Sequence, residues 1–260
     1  MCVSGSVGNG GHNDQGDTRR IQLLLNFNSG QCGLDKPMVA DGRWGPGTAA
    51  ALQRYQRAAG TRESGLVEPG DATLAAFHRT LPPGLPREKL WATMATAELS
   101  VIDRYFPQLS ECLTRNGIDT PLRIAHFLAQ VGHESADLRY PEEIASGQAY
   151  EGRADLGNTE PGDGQRFKGR GLMQLTGRTN YARYGAARQR DFLSGDNPKL
   201  IASDPDLAVD VAGWFWATQN LNNWADADDV ETVTNKINGG YNGLDDRKAR
   251  LACAKWFLLG

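Results

Sequence analysis

The sequence predicts a mainly helical protein built from two domains. Three observations carry this. Apolar residues recur at helical spacing through most of the chain. No long apolar–polar alternation marks a strand. One segment, Leu81-Pro82-Pro83-Gly84-Leu85-Pro86, packs three prolines and a glycine into six residues, which ends a helix and favours an extended connector. The domains expected are residues 1–80 and 88–260, with 81–87 as the linker. The first part carries 8 Lys+Arg against 7 Asp+Glu and the rest 20 against 24, so the charge balance also shifts there.

Composition narrows the function. The chain has 260 residues, 40% hydrophobic and 23% charged, enough to bury a core, which excludes a disordered protein. No stretch approaches the roughly 20 apolar residues that span a bilayer, so no stable membrane association is expected. The net charge of −3 lacks the basic excess of a nucleic-acid binder. Residues 1–17 show neither a positive n-region nor an apolar h-region, so synthesis in the cytoplasm without a signal peptide is expected. Cys2, Cys32, Cys112 and Cys253 are far apart and read as free thiols, with no cysteine zinc site.

In chain order, Asp17 or Thr18 is placed to cap a first helix with Ile21, Leu24 and Leu25 on its apolar face. Asp41-Gly42-Arg43-Trp44-Gly45-Pro46-Gly47-Thr48 reads as a turn and a helix start, followed by Ala51, Leu52 and Tyr55. Ser64 to Thr73 echoes it before Leu74 and Phe77, which suggests an internal duplication. Residues 87–105 have the composition of one helix. Thr120-Pro121 and Asp204-Pro205 are cap-plus-proline helix starts. Residues 226–237 and 244–258 read as two further helices. Between them, residues 138–182 are rich in Gly, Tyr and Arg, predicting a small hairpin or loop-rich lobe.

Glu134 ends the helix that starts at Thr120, close behind Phe127 and Val131. A carboxyl group against apolar surface has its pKa raised, which suits a general acid. Nine residues on, Glu143 supplies a second carboxylate. Glycoside hydrolysis needs such a pair, one group to protonate the leaving oxygen and one to activate water or attack carbon. The run from Arg166 to Tyr181 is dense in hydrogen-bonding side chains around glycines, as a sugar cleft requires. His133-Glu134 lacks the second histidine of a zinc protease motif, because residue 137 is Asp; His126 reads as a core histidine. Arg166, Lys168 and Arg170 at most assist approach to an anionic cell wall.

Two resemblances follow. Gln22, Asp41-Gly42, Trp44-Gly45, Thr48, Gln53 and Gln56 resemble the three-helix peptidoglycan-binding domain of cell-wall enzymes over about residues 15–78. Ala129-Gln130, Gly132-His133-Glu134-Ser135, Tyr150-Glu151-Gly152-Arg153, Lys168 to Arg178, Asn180-Tyr181 and Ile237-Asn238-Gly239-Gly240 resemble glycoside hydrolase family 19 over about residues 90–258. Ala136 stands where these enzymes often have Gly. That family implies a two-lobed, lysozyme-like fold with a small β-hairpin lobe and an inverting reaction without metal or cofactor. It implies Glu134 as general acid, Glu143 as general base and Thr176 as holder of the attacking water. Glu151 is a rival base and Glu142 a lesser one. Gln174, Asn180, Asn238, Tyr181, His133, Glu151 and Arg247 are the implied substrate-binding residues. Together the resemblances imply a monomeric phage-type endolysin. It would wait in the host cytoplasm and cut β-1,4 bonds of peptidoglycan in the periplasm after release. The alternatives are a chitinase and a non-catalytic wall-binding protein.

Overall fold

The computed structural model describes residues 2–259. They cluster into two compact units, one of residues 2–96 with 249–259, the other of residues 97–248. Most of both is helix.

In the first unit, β1 (Val7–Gly8) pairs antiparallel with β2 (Leu66–Val67), Val7 opposite Val67. The helices are α1 (Gln15–Phe27), α2 (Ser29–Cys32), α3 (Pro46–Ala58), α4 (Ala72–His78) and α5 (Arg87–Thr93). The first helix starts earlier than its sequence suggested. Asp14 caps it, accepting from the N–H groups of Gly16 and Asp17. Asp17 is instead buried and binds the N–H groups of Ser4 and Gly5, both at 2.9 Å.

The duplication is visible in the hydrogen bonds. Buried Gln22 accepts from Gly42 N–H at 2.8 Å and donates toward Thr48 Oγ1 at 3.4 Å. Buried Gln56 accepts from Gly65 N–H at 2.9 Å and donates to Thr73 Oγ1 at 3.3 Å. In each half, one glutamine staples a glycine turn to the start of the next helix. Tyr55 and Phe77 stack beneath, with centroids 3.9 Å apart.

Residues 87–105 do not form the single helix expected of them. The chain breaks between α5 and α6 (Leu99–Arg115) because distant arginines capture the carbonyls that would continue the helix. Arg20 Nε donates to Ala92 O at 3.0 Å, and Arg19 binds Ala95 O. These bonds place α5 against α1. The unit therefore extends to Thr96, past the proline-rich segment.

The second unit continues with α7 (Pro121–Glu134), α8 (Asp163–Arg166), α9 (Arg178–Arg188), α10 (Leu200–Ser203), α11 (Pro205–Thr218), α12 (Leu221–Asp226) and α13 (Val230–Asn238). The cap-plus-proline starts form as read: Thr120 accepts from Arg123 N–H and Asp204 from Asp206 N–H. The expected helix over 226–237 forms as α13 but starts later, at Val230, because Asp229 caps it by accepting from Thr232 N–H. Phe167, Leu175, Tyr181, Tyr184, Phe192 and Val211 sit in one buried cluster. The helices α6 and α11 pack closely at Gly213, where a Cβ would come within 2.4 Å of Cys112 Sγ. Residues 138–182 take the loop-rich form of the expected lobe. They carry single bridges, Glu142 to Arg170 and Arg170 to Leu175, and the two-stranded ladder lies in the first unit instead.

The last helix, α14 (Leu244–Leu258), is shared: residues to 248 cluster with the second unit, the rest with the first. There Cys253 Sγ lies 3.8 Å from Cys2 O. All four cysteines are buried and free. Burial pushes the Cys32 and Cys112 thiols up to about 11.

Gln56→Leu leaves the buried N–H of Gly65 without its acceptor. Chemical denaturation is expected to show a loss of about 1–3 kcal/mol; unchanged stability would contradict the staple.

Candidate active site

The buried face of α7 presents Phe127, Leu128 and Val131 to the core, which fixes the helix that ends in Glu134. Glu134 does not rest on apolar surface as expected. Its Oε1 lies 2.5 Å from Arg247 Nη2, and its side chain is 15% exposed. Arg247 is wholly buried. Its other nitrogens bind Gln130 Oε1 and, at 3.2 Å, Asn242 O. One guanidinium thus satisfies three acceptors on α7 and on the loop before α14. Arg247 therefore lies behind Glu134 and acts through it, a correction to its reading as a substrate ligand.

His133, one residue earlier, shares a 2.7 Å hydrogen bond between Nδ1 and Asp246 Oδ2. Its ring packs on Gly243, where a Cβ would come within 2.1 Å of it, so only glycine fits. His133 and Arg247 are thus two struts between the end of α7 and the first turn of α14. His126, two turns earlier, is buried with Nε2 2.9 Å from Asp228 Oδ1. The two imidazoles pair with separate aspartates and do not converge on a shared point.

After Glu134 the chain reverses sharply. Buried Ser135 donates to Val131 O at 2.6 Å and accepts from Leu138 N–H at 2.9 Å. Ala136, Asp137 and Leu138 follow with φ of 48°, 60° and 67°. Three successive non-glycine residues in the left-handed region cost on the order of 1–2 kcal/mol each. The turn's hydrogen bonds offset that cost. Tyr140 N–H then returns to Ser135 O at 2.9 Å, and Gly171 N–H reaches Pro141 O at 2.7 Å.

Glu143 follows on the returning segment. Its N–H bonds Gly169 O at 2.9 Å, while Gly169 N–H donates to its Oε2 at 3.1 Å. Tyr150 Oη donates to its Oε1 at 3.2 Å. Burial and the charge of Glu143 push the Tyr150 phenol up, so it stays a donor. Lys168 straps the segment down: Nζ donates to Glu143 O at 2.8 Å and Ala145 O at 3.3 Å, and pairs with Glu142 at 3.4 Å.

The remaining acids are committed elsewhere. Glu142 pairs with Arg170 at 3.0 Å. Glu151 accepts from Gly162 N–H at 2.6 Å and Gly164 N–H at 2.8 Å, so both its oxygens hold the turn into α8. Lys168 and Arg170 likewise spend donors on internal hydrogen bonds.

Gln174, at φ 52°, donates to Gly171 O at 3.1 Å and Tyr140 O at 3.4 Å. Thr176 Oγ1 donates to Gln174 O at 2.8 Å, leaving its lone pairs for another donor. Asn180 Nδ2 donates to Thr176 O at 2.8 Å. Asn238 ends α13 exposed to solvent. Tyr181 is fully buried: Oη donates to Lys168 O at 2.7 Å and accepts from Arg170 Nη1 at 3.0 Å. It supports the strap and cannot touch a ligand, which corrects its reading as a substrate-binding residue. Hydrogen bonds tie the reversal after Glu134 to Gln174 through Ser135 and Tyr140, and tie Glu143 to Gly169. The sequence reading missed Tyr150 and Asp246 as site residues. Tyr150 stood inside the quoted motif, whereas nothing local marked Asp246.

Residues 114–239 match the family model described as Chitinase class I. A Haemophilus influenzae protein named as glycosyl hydrolase family 19 domain-containing is 31% identical over 173 residues, covering 55% of this chain and 83% of that protein. An endochitinase of Arabidopsis thaliana is 37% identical over 118 residues, 45% of this chain and 39% of that protein. The solved chitinase C of Streptomyces griseus shares the fold with a TM-score of 0.54 at 21% identity, covering 66% of this chain and 75% of that one. A second bacterial family 19 chitinase gives 0.52 at 21% identity, covering 65% and 94%. The protein is a glycoside hydrolase with a mainly helical, lysozyme-like catalytic unit. The chain belongs to glycosyl hydrolase family 19.

Two substitutions test the supports. Arg247→Met removes the only group that, among the described residues, binds the Glu134 carboxylate and is expected to lower kcat about 100-fold, with Arg247→Lys recovering part of it. Lys168→Met loosens residues 142–145 and is expected to lower kcat about tenfold while circular dichroism stays unchanged. Full activity in either Met variant would contradict these roles.

Proposed function

We propose that this protein is an endolysin that hydrolyses β-1,4 bonds of bacterial peptidoglycan by an inverting, two-carboxylate mechanism. The observation that carries the chemistry is the pair Glu134 and Glu143, the first held by Arg247 and the second by Gly169 N–H and Tyr150 Oη. Glu134 protonates the leaving glycosidic oxygen. Glu143, oriented by Gly169 N–H and Tyr150 Oη, takes a proton from a water that attacks the opposite face of the sugar. Thr176 accepts a hydrogen bond from that water. Gln174, Asn180 and Asn238 contact the sugars on either side. Inversion requires carboxyl groups about 6.5–9.5 Å apart, room for one water.

Peptidoglycan is preferred over chitin because of the first unit. Its paired glutamine staples, and a groove lined by Gln22, Met38, Val39, Asp41 and Arg43, suit a small wall-binding module. The protein would act as a monomer, made in the host cytoplasm and reaching the wall in the periplasm after release. A second reading, a chitinase, is favoured by the relatives, whose names include endochitinases from plants.

Purified peptidoglycan and chitin oligomers separate these readings. Mass spectrometry is expected to find reducing N-acetylmuramic acid ends and proton NMR an inverted anomer as the first product. Glu134→Gln and Glu143→Gln are each expected to lower kcat by at least about 1,000-fold with wall affinity retained. Release from chitin alone would favour the chitinase. Anhydro ends, or wall binding without any cleavage, would overturn the hydrolytic endolysin.

A further inference from the structure

The loop between α13 and α14 carries a tyrosine that the fold does not use. Tyr241 is 58% exposed, more than any other aromatic side chain among the exposed ones described; Tyr140 is 44% and Trp224 37%. Those two have cationic covers: the Arg139 guanidinium lies 5.6 Å from the Tyr140 ring, and Lys236 Nζ lies 5.6 Å from the Trp224 ring. Among the described residues, the Tyr241 ring has no aromatic or cationic neighbour at stacking distance, and its hydroxyl makes no hydrogen bond.

Its backbone, in contrast, is pinned. Leu244 N–H donates to Tyr241 O at 3.1 Å. The next residue's carbonyl, Asn242 O, accepts from Arg247 Nε at 3.2 Å. Gly243 lies against the His133 imidazole. Gly239 and Gly243, with φ of 73° and 71°, bracket the loop and set its bends. The same Arg247 that binds Glu134 thus binds the carbonyl beside Tyr241. An exposed ring on a backbone locked to the acid-bearing helix is preorganised for a ligand, because little freedom remains to be lost on binding.

We propose that Tyr241 is a stacking platform for an N-acetylated sugar ring of the glycan, on the side of the site where α7 ends in Glu134 and α13 ends in Asn238. This rests on the reading of Glu134 and Glu143 as a glycan-cleaving pair. The apolar C–H face of a pyranose covers the ring, and the hydroxyl is dispensable.

The test uses the whole protein and two probes, N-acetylglucosamine hexamer and purified peptidoglycan. Tyr241→Ala is expected to raise KM about tenfold with kcat within about twofold. Tyr241→Phe and Trp224→Ala are expected to match the unsubstituted protein. Calorimetry of the hexamer on Glu134→Gln, with and without Tyr241→Ala, is expected to show the same tenfold loss of affinity without turnover. Unchanged KM and affinity in Tyr241→Ala, in a protein that cleaves either probe, would overturn the platform and leave the two-carboxylate reading standing. An equal loss in Tyr241→Phe would also overturn it, since the hydroxyl would then be the contact. If the unsubstituted protein cleaves neither probe, the parent reading fails and the platform with it.

Discussion

The site depends on one buried guanidinium. Arg247 has no water to solvate it, so its charge and donors must be met by protein. It meets them with Glu134, Gln130 and the carbonyl of Asn242. Removing any partner leaves part of a buried cation unsatisfied. The end of α7, the loop after α13 and the first turn of α14 are therefore held in one arrangement, and Glu134 has little freedom to leave it. His133 and Asp246 add a second strut beside the first, and Gly243 provides the space it needs.

The second constraint is the reversal that carries the chain from one glutamate to the other. Three left-handed residues are an unfavourable way to turn a chain. They persist because Ser135, buried and bonded at both ends of the turn, leaves no other path. Beyond the turn, Glu143 is fixed by a backbone N–H and a phenol at its carboxylate and by Lys168 at its backbone. Rigid elements hold Glu134 and a strapped loop holds Glu143, the proposed acid and base. That suits a reaction in which a water must fit between them.

Much of this was legible in the sequence where the cause is local. Thr120-Pro121 and Asp204-Pro205 start helices because the capping oxygen and the fixed proline φ act within a few residues. The repeated turn-plus-helix spelling reported a real repeat, since Gln22 and Gln56 make the same bonds in each half. The site residues were harder. Glu151, Tyr181 and Arg247 are polar and lie in or near the family motifs, yet each faces protein: two backbone N–H groups, a carbonyl and an arginine, and a carboxylate respectively. Residue type reveals that a group must form hydrogen bonds, not whether its partner is a ligand or the fold. The break after α5 was invisible for a related reason. The arginines that take its carbonyls lie more than seventy residues earlier.

The proposed chemistry requires Glu134 and Glu143 to face each other across a gap that holds one sugar and one water. A crystal structure of Glu134→Gln with a bound N-acetylated oligosaccharide measures this directly. The glycosidic oxygen is expected within hydrogen-bond reach of residue 134, about 2.6–3.2 Å, with a water between Glu143, Thr176 and the opposite face of the ring. An oligosaccharide seated away from residue 134, or a ring whose far face Glu143 does not approach, would contradict it.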